Sequence, residues 1–138
     1  MRAVLDTNVI VSGLLSPRGN ARLVLTLAFA RKFDLIVSAE VLAEYDAVIR
    51  RPKFRLRPEE IDQALTELRR VGKLVKPTDD VSESPDEADN WFLECAETGS
   101  ADYLVTGNIL HFPKTWGKTQ VVTIRRFLEV LTPGLRRR

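Results

Sequence analysis

Five short apolar runs, residues 2–5, 35–37, 73–76, 103–105 and 120–123, alternate along this chain with segments of helical length, and this alternation limits the fold more than any other feature. The runs are mostly apolar throughout rather than alternating, the pattern of strands covered on both faces. A crossover of helical length between successive strands lets them pair in parallel. The expected architecture is therefore α/β: a three-layer α/β/α sandwich around a five-stranded parallel sheet.

The connecting segments carry helix signals. A Gly/Ser/Pro/Asn stretch at 12–20 reads as a loop, followed by a helix over about 21–32. Ser38 is a plausible N-cap for a helix to about residue 51, where Pro52 stops it. Pro58-Glu59-Glu60 opens another, with Ile61, Leu65, Leu68 and Val71 at helical spacing and Gly72 at its end. Ser84-Pro85-Asp86-Glu87 reads as cap, first-position Pro and acidic first turn of a helix to about residue 98, and a closing helix spans 125–131.

With 138 residues, 44% of them apolar and only 7 Gly and 7 Pro, the chain suits one domain over 1–138 with its own core, ending in a basic tail at about 133–138. Disordered, collagen-like and disulfide-stapled classes are excluded. The single cysteine, Cys95, can form neither an internal disulfide nor a zinc cluster, so the expected compartment is the reducing cytoplasm. The first apolar run meets Asp6 too soon for a signal-peptide core, and no run reaches the roughly 18 apolar residues of a membrane span, so no membrane is expected. Net charge is only +2, but Arg50, Arg51, Lys53, Arg55 and Arg57 concentrate five cations within eight residues. That run is a candidate contact for an RNA backbone, with Phe54 as a stacking surface. Its alternatives are a solvated linker between helices and a contact with a protein partner or with a second copy in a homodimer.

In an open parallel sheet the functional crevice lies beyond the carboxyl ends of the strands. Asp6-Thr7-Asn8 follows the first run, the helix after Ser38 carries Glu44, and Thr106-Gly107-Asn108 follows the fourth run. Asp86 and Asp89 lie one turn apart on the helix leading to that run. Asp86 also reads as a helix-start acid, whereas Asp89 lies too deep in the expected helix for capping. Ala88, Trp91, Phe92 and Cys95 form its apolar stripe, which makes Cys95 a core thiol. His111, the only histidine, reads as a packed or loop residue.

Together, Asp6-Thr7-Asn8-Val9, the Ser-Ala-Glu-Val-Leu-Ala-Glu-Tyr segment holding Glu44, Pro85-Asp86-Glu87-Ala88-Asp89-Asn90 and Ala101-Asp102-Tyr103-Leu104-Val105-Thr106-Gly107-Asn108 resemble a PIN domain. The resemblance spans residues 2 to about 125, and is to the branch of toxin–antitoxin toxins related to VapC-type ribonucleases. It implies an acidic pocket that binds Mg²⁺ or Mn²⁺ and hydrolyses RNA, with Asp6, Glu44 and Asp89 as catalytic acids, Asp86 as a further metal carboxylate, and a small antitoxin as partner. Where many relatives carry an Asp after the fourth-strand Thr-Gly, this chain has Asn108.

The residue types support that chemistry on their own terms. Hard divalent cations take carboxylate and water oxygens, and clustered carboxylates repel one another until a cation joins them. Such a cation activates water directly, so no protein nucleophile is needed. Thr7, Asn8, Thr106 and Asn108 can orient the acids or their waters by hydrogen bonds. Three rivals stand beside this reading. A catalytically degenerate PIN-like module would bind RNA or a partner without cutting. A receiver-like Mg²⁺-binding signalling domain needs a Lys after its last strand, where Val121-Val122-Thr123-Ile124-Arg125 has none, and a haloacid-dehalogenase-type phosphatase needs an acid where Asn8 stands.

Overall fold

The computed structural model describes residues 1–78, 81, 83 and 86–133. Its elements follow the alternating order of the sequence. They are β1 (Arg2–Leu5), α1 (Thr7–Leu15), α2 (Asn20–Phe29), β2 (Asp34–Val37), α3 (Ala39–Ile49), α4 (Pro58–Val71), β3 (Lys73–Leu74), α5 (Glu87–Thr98), β4 (Tyr103–Val105), β5 (Thr115–Trp116), β6 (Thr119–Val122) and α6 (Ile124–Leu131). One-turn 3₁₀ helices lie at Pro52–Phe54 and Ile109–His111.

The described strands form a six-stranded sheet in the order β3-β2-β1-β4-β6-β5. β1 sits between β2 and β4, with Ala3 opposite Leu35 and Leu5 opposite Val105, all in parallel register. Ala3, Val4 and Leu5 are each 0% exposed. Successive strand residues point to opposite faces, so a fully buried triplet means that both faces of β1 are covered. Leu35, Ile36 and Val37 of β2 repeat the pattern. On the far side, Phe127 of α6 packs edge-on against Phe33, centroids 5.0 Å apart, and against Tyr103 at 5.9 Å.

The structure departs from the sequence reading in four places. The sheet has six strands rather than five and is not wholly parallel, because Thr115–Trp116 pairs antiparallel with β6 across a two-residue turn in which Gly117 has φ +59°. A hairpin with one two-residue strand offers too few positions for alternation to show. Second, residues 12–15 are not loop: α1 begins immediately after Asp6 and runs to Leu15, and only 16–19 separate it from α2. Gly13, read as a loop residue, is a close-approach residue between α1 and α2, since a Cβ there would lie 2.5 Å from Leu25 Cδ1. Third, the first two predicted helices end early: α2 stops at Phe29 and α3 at Ile49, and Arg31 turns the chain with φ 58°. Fourth, the described part of α5 starts at Glu87 with Asp86 as N-cap. Ser84 and Pro85, expected to start that helix, and Arg136 to Arg138 lie outside the described residues.

Candidate active site

The centre of the site follows from the position of β1. A central strand buried on both faces delivers the residue after it to the carboxyl edge of the sheet, and that residue is Asp6. Its backbone N–H donates to Val105 O at 2.9 Å, which prolongs the pairing of β1 with β4 by one residue. Its side chain caps α1, with Oδ1 accepting from Thr7 N at 2.8 Å, while Oδ2 accepts from Thr106 Oγ1 at 2.8 Å. Asp6 is 8% exposed, and desolvation raises its carboxyl above the ordinary value. The bonds from Thr106 and Thr7 offset part of the rise; the charge of Asp89 adds to it and His111 opposes it.

Glu44 is fixed by its neighbour. Ser38 caps α3 by accepting from Val41 N at 3.1 Å, and one turn further on the buried Tyr45 hydroxyl donates to the backbone oxygen of Leu5. That bond ties α3 to the residue before Asp6. Partial burial raises the Glu44 carboxyl, Arg51 pulls it back, and the charges of Asp86 and Asp89 push it up again. Glu44 and Asp6 each sense Asp89, one expression of four acids around one space.

Asp86 takes the helix-start role, its Oδ1 accepting from Ala88 N at 3.0 Å. Asp89 corrects the sequence reading: because the described helix begins at Glu87, Asp89 lies in its first turn, where an acid complements the helix dipole. Both nevertheless line the cavity. Cys95 is buried, and desolvation pushes its thiol up to about 12, which makes it inert.

The segment after β4 completes the frame. Thr106 Oγ1 accepts from Asn108 N at 3.0 Å while donating to Asp6, and Asn8 Oδ1 accepts from Gly107 N at 3.0 Å. The Asn108 side chain is turned to the histidine, with Nδ2 and His111 Nε2 3.0 Å apart. His111 lines the cavity, a placement the sequence reading missed. The available signal was its position in the turn that leaves the carboxyl end of β4. Tyr45 was missed too, since a buried tyrosine reads simply as core.

Asp6, Glu44, Asp86 and Asp89 line one cavity of about 730 Å³, together with Arg51, Phe54 and His111. Of the basic run, Arg51 thus reaches the site and Lys53 lies over the Phe54 ring, 5.1 Å from its centroid. Arg50 is engaged by Asp46 and, at 3.5 Å, by Asp62, and Arg57 by Glu60 at 2.8 Å. Arg55 is exposed in a left-handed turn with φ 53°.

A sequence model of the PIN domain matches residues 2–110. The chain belongs to the PIN domain family. An uncharacterised protein of Methanocaldococcus jannaschii, MJ1680, is 30% identical over 111 residues, 78% of this chain and 71% of the relative. Among solved structures, VapBC2 from Rickettsia felis, bound to a DNA fragment from their promoter, contains a similar chain. It matches with a TM-score of 0.59 at 16% identity, over 89% of this chain and 98% of that one, which shows a shared fold. No described helix of this PIN domain is long and apolar enough to cross a membrane.

The residues of this PIN-domain cavity fit a hydrated divalent cation. Four carboxylates supply only hard oxygen donors. Thr7 Oγ1, next to Asp6 and lining the cavity, is buried without a hydrogen-bond partner among the described residues. Left unpaired, such a hydroxyl costs about 1–3 kcal/mol, so it calls for a polar group from the cavity. Among the described residues no three His, Cys, Asp or Glu side chains are gathered into a ready-made ion cage.

Proposed function

We propose that this PIN domain is an endoribonuclease of the cytoplasm that hydrolyses RNA phosphodiesters with Mg²⁺ or Mn²⁺, and that it is the toxin of a toxin–antitoxin pair. One observation carries the reading: Asp6, the most buried acid of the site, shares a cavity with Glu44, Asp86 and Asp89 at the carboxyl edge of the sheet. These four would hold the cation, with Asp6, Glu44 and Asp89 as the catalytic set. When bound, the cation would lower the pKa of a water and offset the negative charge on the oxygens around the phosphorus.

The chain's own groups supply the rest. Thr106 and the Thr7 amide hold Asp6 in one orientation, and Asn8 fixes the Gly107 backbone beside it. Arg51 and Lys53, with Arg50, Arg55 and Arg57 further along the run, would meet the RNA backbone and offset repulsion from the acids, while Phe54 offers a face for a base. The inert Cys95 leaves the attack to water. A small antitoxin as partner rests on the likeness in fold to a chain of VapBC2, and one catalytic domain would take in all the elements described.

Incubation of a mixed single-stranded RNA pool with Mn²⁺, Mg²⁺ or EDTA, with Asp6→Asn alongside, tests the reading. Cutting is expected from wild type with either metal and from neither the EDTA sample nor the variant. Uncut RNA bound by wild type would favour the degenerate module, for which the absence of an acid at Asn108 is the specific observation.

A further inference from the structure

We propose that His111 is a phosphate-contacting residue of the cavity: its imidazole, held in place by Asn108, donates to a nonbridging oxygen of the RNA backbone at the Asp6 side of the site. The assignment deepens the nuclease reading and rests on it.

A chain of hydrogen bonds ties the ring to the centre of the site. Thr106 Oγ1 donates to Asp6 Oδ2 at 2.8 Å, Asn108 N donates to the same hydroxyl at 3.0 Å, and the Asn108 amide nitrogen stands 3.0 Å from His111 Nε2. The imidazole is exposed, and its distance from Asp6 is nevertheless set by three bonds rather than by a free side chain. With the Asn108 amide nitrogen donating, Nε2 accepts and the neutral ring keeps its N–H on Nδ1. One N–H therefore remains for a ligand.

The cavity needs that donor. Four carboxylates repel a phosphodiester, and Arg51 and His111 are the basic side chains among the described cavity residues. They lie by different acids: Arg51 acts on Glu44, and the bonds through Asn108 and Thr106 set the His111 donor on the Asp6 side. An arginine beside Glu44 leaves the Asp6 side uncompensated unless the histidine supplies it. Asn108 then acquires a meaning other than a lost acid. An aspartate there would accept from the ring and hold it as an internal ion pair, whereas the amide orients the ring and leaves its proton to the substrate.

The test combines four measurements on full-length protein. They are cleavage of a short fluorescent single-stranded RNA in Mn²⁺, anisotropy binding of the same RNA, Mn²⁺ titration and thermal melting. His111→Ala is expected to lower kcat/KM by about ten- to a hundredfold, the loss of one charge-assisted hydrogen bond, with Mn²⁺ affinity and Tm unchanged. His111→Gln, whose amide also donates, should recover part of the loss, and Asn108→Asp should lower kcat/KM by capturing the ring. Cleavage by His111→Ala at the wild-type rate, while Asp6→Asn is inactive, would overturn the assignment and leave the nuclease reading standing. A fall in Mn²⁺ affinity proportional to the lost activity would also overturn it, because the ring would then act through the metal. If wild type itself cuts no RNA, the nuclease reading fails and the binding arm decides: about tenfold weaker binding by His111→Ala upholds the contact, and equal binding removes it.

Discussion

Tyr45→Phe isolates the bond that holds the two halves of the site together. Tyr45 is fully buried, its ring packs beside Phe92 with centroids 6.2 Å apart, and its hydroxyl reaches the backbone oxygen of Leu5. Phenylalanine keeps the ring and deletes only the hydroxyl. The loss comprises the net value of a buried hydrogen bond, about 0.5–1.5 kcal/mol, and a further cost because the Leu5 oxygen stays buried, for a total of about 1–3 kcal/mol. For a chain of this size roughly 3–5 °C of melting temperature corresponds to each kcal/mol, so a fall of roughly 3–15 °C is expected. A second effect separates this bond from ordinary core packing. Without the tie, α3 can shift relative to β1, and Glu44 with it, so Mn²⁺ affinity should fall along with stability. The assay is thermal melting with and without Mn²⁺, beside a volume-reducing control such as Leu104→Ala in the core, where stability alone should suffer. Melting of Tyr45→Phe within about 1 °C of wild type would show that the hydroxyl carries no such bond, and lowered stability with unchanged Mn²⁺ affinity would show that it does not position Glu44.

Other predictions follow from the charges. Millimolar Mn²⁺ should raise the Tm of wild type, and Asp6→Asn or Asp89→Asn should abolish most of that rise; equal stabilisation of all three would remove the carboxylate cluster as the metal site. The pH dependence has a definite sign. The Asp6 carboxyl is raised above its ordinary 3.8, so the native state holds the extra proton, and its contribution is fully present below 3.8 and lost as pH rises through the higher folded value. Metal-free Asp6→Asn should therefore gain stability relative to wild type as pH rises through that window, and a difference independent of pH in denaturant melts would contradict the buried, desolvated state of Asp6. Replacing Arg51 and Lys53 by Ala should weaken RNA binding and reduce its salt slope while sparing Mn²⁺ binding; an unchanged slope in anisotropy titrations would assign the run to a protein contact.

Most of the fold was legible because its strands are buried on both faces, and a continuous apolar run leaves a mark that needs no partner to be read. Tyr103–Val105 stands where the sequence put it, and β1 does as well. What could not be read were features whose cause lies elsewhere in the chain. Gly13 and Ser12 look like loop residues locally, yet Asp6 caps the helix that contains them and Leu25 fills the space left by the missing side chain. β5 exists only as the other half of a hairpin with β6. The start of α5 was misplaced for a related reason, as Ser84-Pro85 and Asp86 offer competing caps and only the backbone conformation of Asp86 decides between them.

The site divides along the same line. All four acids could be named from sequence because each follows a strand or lies on a helix that leaves one, and the carboxyl edge of a parallel sheet gathers such residues whatever their spacing in the chain. Their supports could not. The Tyr45 bond spans 40 residues and the Thr106 bond spans 100, and at either end the residue has an adequate local explanation, as core aromatic or turn hydroxyl. The same holds for the cations: five basic residues in a run drew attention as a unit, but Arg50 and Arg57 are drawn off by Asp46 and Glu60, and Arg51 is the member that reaches the cavity. Charge density along a sequence therefore overstates what reaches the cavity, while His111, three residues beyond Asn108, lines it with no such local signal. The arrangement suits the proposed function, because cations that ringed and neutralised an acid pocket would remove its attraction for a divalent metal. In the proposed nuclease Arg51 beside Glu44 and the His111 donor on the Asp6 side would meet a phosphate, while Asp86 and Asp89 would keep the pocket negative enough to draw in a divalent cation.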